Sequence, residues 1–206
     1  VQLCTQDRTF GGRLAGLFAP KRRENPDARI VLESKGNAGQ SFGFCTTEGM
    51  SLKHTGVVQD GCGKSTTGGE LVVVCPPDLH ANAHENTVAG NVVGYGASGG
   101  RIFINGRVGH RCGILLKGGT IVVEGLGDFG FEYMTDGTGM ILGTVGRSLG
   151  VGASAGVLFA LGEPKVNEAL RYATPEERTA YESVILELLR DHAERTRSVR
   201  AAAVLQ

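Results

Sequence analysis

Glycine recurs through most of this chain at near-regular intervals, and each recurrence is followed by a short apolar run. All but three of the 33 glycines lie between Gly36 and Gly162. The glycines that lie just before apolar runs, with at most one residue between, are Gly49, Gly69, Gly100, Gly119, Gly139 and Gly156. The intervals between them are 20, 31, 19, 20 and 17 residues. Recurrence at such a period indicates a solenoid of stacked coils.

The apolar runs have the composition of buried β-strands. Runs such as Leu71–Val74, Ile102–Ile104 and Ile121–Val123 are short, rich in Val, Ile and Leu, and bounded by glycine. A second set of glycines supplies further corners, and its members are Gly36, Gly56, Gly106, Gly125 and Gly143, with Gly90 in the longest interval. A flexible linker would lack the apolar runs, and an α/β fold would need helical patterns between the strands. The sequence therefore predicts a mainly β fold, a parallel β-helix.

Composition divides the chain into three zones. Residues 1–29 are mixed and basic and end in Lys21–Arg23, which is typical of a clasp that contacts the solenoid or a partner. Residues 30–162 carry the glycine period and form the predicted β-helix. Residues 163–206 contain no glycine and change to a helical period, so we expect a helical tail there.

The tail carries clear helix signals. Thr174–Glu177 places Thr at the N-cap, Pro at the first helical position and Glu at the third, which is a capping box. The apolar stripe that follows consists of Tyr181, Val184, Ile185, Leu188, Leu189 and His192. A second short helix is predicted after a break at Thr196–Ser198. The tail either covers the open end of the solenoid or docks on a partner.

Charge and cysteine content limit the class of protein. The 21 basic and 21 acidic residues balance, so no net field favours nucleic acid or an anionic membrane. No apolar stretch approaches the length of a membrane span. The five cysteines are odd in number and lack CxxC spacing, which predicts reduced thiols in a cytoplasmic protein. They are Cys4, Cys45, Cys62, Cys75 and Cys112.

Two glycine-rich segments resemble nucleotide-binding loops but lack the required context. Residues 61–66 (GCGKST) match the end of a phosphate-binding loop, yet Val58 stands where the first glycine of that motif belongs. Residues 94–99 (GYGASG) match GxGxxG, but the loop opens onto another strand-like run instead of a helix. Neither segment is predicted to bind a nucleotide.

Histidines and carboxylates are also present without a clear site. His80, His84 and Glu85 lie in the long interval, within residues 76–86, but no third ligand accompanies the His pair. A surface loop is the favoured interpretation. The acidic residues near Gly125–Gly139 have no evident reason to face one another, and they are Asp128, Glu132 and Asp136. We therefore predict no catalytic, cofactor-binding or metal-binding residue in this chain.

Several long motifs resemble the C-terminal GXGXG domain of glutamate synthase large subunits. Lys35–Gly43 (KGNAGQSFG) is similar to the family segment GSAGQSFG. The other similar segments are Gly90–Ala97, Val123–Thr135, Gly143–Ser148, Gly150–Gly156 and Leu188–His192. The likeness runs from about Asp7 to Leu205. Two residues depart from the family pattern, because Arg197 and Ala155 stand where glycine is usual.

The resemblance implies a right-handed β-helix without catalytic residues of its own. In that family the domain packs between a glutamine-hydrolysing domain and an FMN-bearing synthase barrel and helps to hold the ammonia tunnel. It implies a scaffold subunit of a glutamate-synthase-like complex, with an amidotransferase-like subunit and an FMN-binding synthase subunit as partners. FMN, and a candidate iron–sulfur cluster, are then expected in the partners and not in this chain.

The resemblance leaves the type of complex open. Stand-alone versions of this domain occur in N-methylglutamate synthase and in split glutamate synthases, and a related β-helix is a subunit of formylmethanofuran dehydrogenase. The alternative of a different class is an independent β-helix binding protein or enzyme, with a site in the 76–86 loop or along a row of glycine corners. Within the solenoid, we expect Gly127 and Gly130 to occupy corners with positive φ, where a Cβ is disfavoured.

Overall fold

A parallel sheet winds through most of the chain. The computed structural model describes all residues from Val1 to Gln206. Its strands form a parallel β-solenoid of about 7 turns, so the predicted fold class is confirmed. The strands are β1 (Gln2–Leu3), β2 (Ile30–Ala38), β3 (Met50–Val58), β4 (Thr67–Val74), β5 (Thr87–Ala89), β6 (Ser98–Ile104), β7 (Arg107–Val108), β8 (Lys117–Val123), β9 (Asp136–Ile141) and β10 (Val157–Ala160). The helices are α1 (Gly12–Glu24), a 3₁₀ segment (Pro77–Glu85), α2 (Pro175–Thr196) and α3 (Val199–Val204).

The main strands stack in the order β1-β2-β3-β4-β6-β8-β9-β10. Ile102 pairs with Ile121 and Phe103 pairs with Val122, so like residues lie above one another along the stack. The Ile side chains belong to the interior core, whereas Phe103 and Val122 face outward into a second core formed with the tail. Burial of both faces explains why the runs are continuously apolar and do not alternate.

The strands are longer than the apolar runs from which they were predicted. β3 contains nine residues and β8 contains seven, because small and polar residues at their beginnings also pair with the neighbouring coil. In β8, for example, Lys117 pairs with Asp136 before the register shifts at the glycine pair that follows. The apolar runs Ile102–Ile104 and Ile121–Val123 contain three residues each, so hydrophobicity alone underestimated the length of the strands.

The return path of each coil contains three alternate residues with left-handed backbone conformation, here called a turn triplet. The six triplets are Ser41/Gly43/Cys45, Gly61/Gly63/Ser65, Val92/Gly94/Gly96, Arg111/Gly113/Leu115, Phe129/Phe131/Tyr133 and Ser148/Gly150/Gly152. The middle N–H donates to the preceding coil, as Gly94 does to the carbonyl of Cys62 at 2.8 Å. The third donates to the next coil, as Gly96 does to the carbonyl of Ile114 at 2.9 Å. The turns are therefore hydrogen-bonded to neighbouring coils much as the strands are.

The middle position of the triplet is glycine in every coil but the fifth. A Cβ at Gly94 would lie 2.5 Å from Ile121 Cδ1, so the strand side chain occupies that space. In the fifth coil the middle residue is Phe131, which is fully buried at a φ of 56°. The strand residue beside it is Gly139, which holds the register position of Ile121. Phe131 thus fills from the turn the volume that an aliphatic side chain fills from the strand in other coils.

The expectation of positive φ at Gly127 and Gly130 is wrong. Neither residue is in the left-handed region, which is adopted instead by the neighbouring Phe129 and Phe131. Their constraint is space, because a Cβ at Gly127 would lie 2.8 Å from His110 Nδ1. A Cβ at Gly130 would likewise lie 2.7 Å from a methyl group of Leu126. Most of the other predicted corner glycines do have positive φ, the exceptions being Gly90, Gly139 and Gly143.

Segments outside the repeat cover the solenoid core at both termini of the stack. α1 buries Ala15 and Phe18 in the interior core, and the cationic cluster Lys21–Arg23 forms its last turn, where it is favoured by the helix dipole. After β10, the chain folds back so that Leu170 packs over Gly150 of the last turn triplet. Asn167 Nδ2 also donates to the carbonyl of Leu149.

The tail helices lie along the side of the solenoid, and not across its end. The capping box is confirmed, with Thr174 Oγ1 accepting from Glu177 N–H and the Glu177 carboxylate accepting from Thr174 N–H at 2.8 Å. α2 then buries Leu188 and Leu189 against the outer surface of the strands. Val184 is 39% exposed, so the buried stripe is narrower than predicted.

Candidate functional site

The two loops that resemble nucleotide-binding motifs are turn triplets. In residues 61–66, the N–H groups of Gly61, Gly63 and Ser65 donate to carbonyls of neighbouring coils at 2.8–2.9 Å. Gly94 and Gly96 are bonded in the same way in residues 94–99. A phosphate-binding loop needs such N–H groups free to point at the ligand. Here these N–H groups already donate to carbonyls of the neighbouring coils.

The 3₁₀ segment brings His80 to the tail. Its ring Nε2 lies 3.1 Å from the carbonyl oxygen of Thr196, at the C-terminus of α2. His84 points elsewhere and lies 3.9 Å from the carboxylate of Glu85. Nowhere in the chain do three or more His, Cys, Asp or Glu side chains gather in a way that could hold a metal ion. The long interval therefore contacts the tail through one of its two histidines.

The three carboxylates near Gly125–Gly139 do not face one another. Asp128 pairs with Arg147 at 2.8 Å, and the guanidinium holds the pKa of the Asp128 carboxyl below its usual range. Glu132 pairs with Arg111 at 2.6 Å. Asp136 accepts from the N–H of the following glycine at 2.7 Å. Each carboxylate therefore has a separate ion-pair or hydrogen-bond partner.

Polar side chains form a ladder along one corner of the solenoid. In each step a side chain accepts from the backbone N–H of the equivalent residue one coil further on. Asp60 accepts from Asn91 at 2.7 Å, Asn91 from His110 at 2.8 Å, and His110 from Asp128 at 2.9 Å. We call these four residues the side-chain ladder. It lies directly against Gly127 and its equivalents in other coils, which explains why those positions have no room for a Cβ.

A buried polar cluster, here called the tail cluster, joins the solenoid to the tail. Glu124 Oε1 accepts from Asn105 Nδ2 at 2.9 Å, from His192 Nε2 at 3.2 Å and from Ser198 Oγ. All four residues are at most 1% exposed. Burial disfavours the charged carboxylate, but the bonds from His192, Ser198 and Asn105 together outweigh burial and keep the pKa of Glu124 below its ordinary value.

The geometry of the tail cluster fits attachment better than catalysis. A hydroxyl nucleophile needs an imidazole within hydrogen-bonding distance to take its proton. Here Ser198 Oγ and His192 Nε2 contact the same oxygen of Glu124, so the acid lies between them. Glu124 directly follows β8, His192 belongs to α2, and Ser198 lies in the turn before α3. The cluster therefore holds both tail helices on the solenoid.

A second, charged layer supports this attachment. Arg195 of α2 pairs with Glu70 at 2.7 Å and also with Asp191, which in turn pairs with Arg101 of β6. Both guanidinium carbons lie 5.0 Å from the ring centroid of Phe103. Cations stacked on an aromatic face contribute favourably when partly desolvated. Two charges of the tail, Asp191 and Arg195, thus join two charges and one aromatic ring of the solenoid beside the apolar contact.

Inside the solenoid, one histidine is satisfied without any titratable partner. His54 is fully buried, with Nδ1 2.9 Å from Ser34 Oγ and Nε2 3.0 Å from the carbonyl of Gly36. Nε2 therefore donates and Nδ1 accepts from the hydroxyl. Burial lowers the pKa of His54, against the opposing effect of its bonds to Gly36 and Val57. His54 serves as a neutral core residue.

All five cysteines are free. Burial raises the pKa of Cys62 to about 12 and that of Cys75 to about 11. Burial also raises the pKa of Cys112, which lies inside the same stack. Buried thiols of this kind are unreactive. Cys4 is exposed and Cys45 is half-buried.

The structure also places a shallow cleft between the second and third coils. It has a volume of about 310 Å³ and is lined by Gln40, Val57–Asp60 and Thr87–Gly90. Asp60 is its one charged residue, and that carboxylate already accepts from Asn91 in the side-chain ladder. The cleft gathers no set of reactive side chains.

Sequence reasoning did not find the tail cluster or the ladder. Glu124 follows an apolar run directly, which is a weak sign of a buried acid, and His192 was assigned to an apolar stripe. The other members of the cluster lie 19 to 74 residues from Glu124, so only the fold brings them to it. The ladder follows the coil period and is recognisable once the glycines beside it are aligned.

No helix in the structure has both the length and the apolar character needed to span a membrane.

A family model described as the GXGXG motif matches residues 1–206. Over 210 residues the chain is 37% identical to ferredoxin-dependent glutamate synthase 2 of Synechocystis sp., with 99% of this chain and 14% of that protein covered.

Two further relatives extend the comparison. The chain is 36% identical over 211 residues to ferredoxin-dependent glutamate synthase 1 of Arabidopsis thaliana, a match that covers all of this chain and 13% of that protein. It is 41% identical over 138 residues to the large chain of glutamate synthase [NADPH] of Bacillus subtilis, covering 67% of this chain and 9% of the relative. The chain thus spans about a seventh or less of the length of these proteins.

Proposed function

The chain belongs to the GXGXG family, and from this premise we propose that it is a non-catalytic scaffold component of a glutamate-synthase-type assembly. Its similarity to glutamate synthases extends over nearly the whole chain. Those proteins are much longer, so other domains or subunits supply the catalytic parts. The role proposed for this chain is to hold such parts in a fixed relation.

One observation carries the proposal, namely that the side-chain ladder and the tail cluster both join parts of the fold to one another. The side-chain ladder joins one coil to the next. The tail cluster is enclosed between solenoid and tail, where a substrate has no access to Glu124. Catalytic groups need an approach for substrate and a geometry that moves a proton or electron pair. Architecture of this kind supports a structural role.

The partners follow from the family. We propose that an amidotransferase-like component and an FMN-binding synthase component dock on this chain in a cytoplasmic hetero-oligomer. FMN, and any iron–sulfur cluster, would be held by those partners. Glutamate or N-methylglutamate is the proposed product of the whole assembly. A β-solenoid suits this role, because its stacked coils form a stiff body with several long faces.

Reconstitution tests the proposal. The chain is purified with its native partners, and the partners are identified by mass spectrometry and by flavin absorbance. We expect amidotransferase-like and FMN-binding polypeptides, and no turnover or stoichiometric flavin in the isolated chain. Omitting this chain from the reconstituted mixture should abolish the coupling of amino transfer to glutamate formation. Turnover by the isolated chain, or undiminished coupling without it, would contradict a scaffold role.

A further inference from the structure

The side-chain ladder lacks a step between the first and second coils. In each existing step, a side chain accepts from the backbone N–H of the equivalent residue one coil further on. The register of β2 and β3 places Gln40 one coil before Asp60. The Asp60 N–H nevertheless makes no hydrogen bond within the chain, and Gln40 Oε1 is buried without a partner. The donor and the acceptor of the missing step are therefore both unpaired.

The residue before Asp60 explains why this step is missing. In the coils that follow, the residue before each ladder position is glycine, because the side chain from the preceding coil lies there. A Cβ at Gly90, for example, would lie 2.2 Å from Asp60 Oδ1. The equivalent residue in the second coil is Gln59, whose Cβ takes up this space. The side chain of Gln40 is therefore kept from the position that would bond the Asp60 N–H.

Both residues of the missing step line the shallow cleft of about 310 Å³ described above. A second cleft, of about 580 Å³, adjoins the first, because Gln40 and Gln59 line both. Its other lining residues are polar or charged, namely Thr5, Gln6 and Arg8. Small-molecule sites have volumes of about 300 Å³ or more, whereas a single water needs far less. The two clefts therefore have room for a small organic molecule.

Arg8 brings a positive charge to the second cleft. Its side chain packs over the backbone beside Gln40, since a Cβ at Gly39 would lie 3.1 Å from Arg8 Cγ. Arg8 takes part in none of the ion pairs of the chain. A guanidinium binds a carboxylate through two parallel hydrogen bonds. The second cleft therefore favours an anionic group, while the first offers an unpaired acceptor and an unpaired donor.

We propose that the two clefts bind a small molecule that carries a primary carboxamide and a carboxylate. The carboxamide supplies both groups that the missing step needs, because its NH₂ donates to Gln40 Oε1 and its oxygen accepts from the Asp60 N–H. The carboxylate pairs with Arg8 in the adjoining cleft. The bound molecule thereby completes the ladder between the first two coils. This inference concerns the solenoid alone and does not depend on the proposed scaffold role.

Calorimetric titration of the full chain tests the inference. The probes are glutaramate and succinamate, in which chains of different length join a carboxamide to a carboxylate, and glutarate, which lacks the NH₂ group. We expect at least one of the two amides to bind with a dissociation constant of about 1 mM or below. Glutarate should bind at least about tenfold more weakly, because it leaves Gln40 Oε1 without a donor.

Two sets of variants make the test specific. Gln40→Asn combined with Gln59→Gly gives the missing step the residue types of the step from Asn91 to the next coil, so the chain closes the gap itself. We expect this double variant to keep its melting temperature and to bind the amides at least about tenfold more weakly. Arg8→Ala should also weaken binding by about tenfold, whereas Arg13→Ala, at an exposed position of α1, should not.

Three results would overturn the inference. The first is the absence of binding by either amide at about 20 mM, which would mean that water alone occupies the missing step. The second is equal binding of glutarate, and the third is undiminished binding by the double variant. None of these results would affect the proposed scaffold role, which is tested by reconstitution with the partners.

Discussion

The two long outer surfaces of this solenoid are the strand side and the surface of the turn triplets, here called the turn face, and they are built by opposite means. On the strand side, the backbone is extended and the outward side chains are Val, Phe and Met, with the tail packed over them. On the turn face, the backbone is left-handed at alternate residues and glycine occupies the middle of almost every triplet. One surface is specified by side-chain volume and the other by backbone conformation. A coil closes only when the side chains of the strand fit the backbone of the turn. In the fifth coil the two are exchanged, because the bulky residue, Phe131, lies in the turn and the glycine, Gly139, lies in the strand.

Substitutions at the exchanged residues Phe131 and Gly139 are expected to have the largest effect on stability. Phe131→Gly should destabilise the chain by about 3–4 kcal/mol, because it removes a buried ring while relieving a left-handed residue. Gly139→Ile alone should also destabilise it, since a Cβ there would lie 2.6 Å from Phe131 Cε1. The double variant restores the arrangement of the other coils, so it should recover at least about 2 kcal/mol relative to the sum of the single variants.

Urea unfolding of the wild type, both single variants and the double variant measures this coupling. Additive effects would contradict the interpretation that turn and strand exchange volume in this coil. Ile121→Val, one coil away, is a suitable control for an ordinary core truncation, with a cost of about 1 kcal/mol.

Disrupting the tail cluster is expected to have the next largest effect on stability. Glu124→Ala leaves three buried polar groups without their acceptor and should cost about 3 kcal/mol. The pH dependence follows from the lowered pKa of Glu124, whose ordinary value is 4.5. Because the folded state favours the carboxylate, its contribution is complete above pH 4.5 and is lost as the pH falls below that value.

Hydrogen exchange of α2 amides between pH 3.5 and pH 7 would detect this loss, with Glu124→Gln as the variant in which it should be reduced. Equal acid sensitivity of the wild type and Glu124→Gln would assign the effect to another acid at the interface, Asp191, which is ion-paired with Arg101 and Arg195.

A matched pair of glycines separates backbone strain from packing on the turn face. Gly94 and Gly96 have φ values of 67° and 62°, and a Cβ at Gly96 would meet nothing within 4 Å. Gly96→Ala should therefore cost about 1 kcal/mol from the left-handed conformation alone. Gly94→Ala adds a 2.5 Å contact with Ile121 Cδ1 and should cost about 2 kcal/mol or more. Thermal melting compares them, and equal losses would mean that packing at the middle position is adaptable.

The smallest effect is a gain. Arg197 follows the last residue of α2 with a φ of 59°, a left-handed conformation that glycine adopts without strain. Arg197→Gly should raise stability by about 0.5 kcal/mol, since relief of the left-handed residue is partly offset by the greater freedom of glycine in the unfolded chain. Differential scanning calorimetry suffices to detect it. A loss of stability would indicate that the Arg197 side chain makes a contribution beyond backbone conformation.

The fold was predictable because its cause is periodic. Glycines at coil intervals and the capping box at Thr174–Glu177 are local or repeated signals, and both were interpreted correctly. The roles of individual glycines were not predictable. Sequence cannot distinguish a glycine needed for positive φ, such as Gly94, from one needed for close approach, such as Gly127. The left-handed Phe131 carried no signal, because aromatic residues rarely adopt that conformation.

The tail cluster was unpredictable for a different reason. Glu124, His192 and Ser198 belong to two zones with different periods, and nothing in either period relates them. Their meeting depends on where the tail crosses the solenoid, and that is a tertiary property. The sequence did, however, predict correctly that residues 94–99 open onto a strand, which is β6, and not onto a helix.

The course of α2 and α3 along the strand side has a consequence for the length of the molecule. A stack of coils has no natural end, because each coil contacts only its neighbours and one more could always be added. The tail, however, contacts Glu70, Arg101, Glu124 and Leu142, which belong to four successive coils. Deleting or inserting a coil would move every later contact out of register with a helix of fixed rise. The contacts of the tail therefore fit only one number of coils, although the stack itself could be extended without limit.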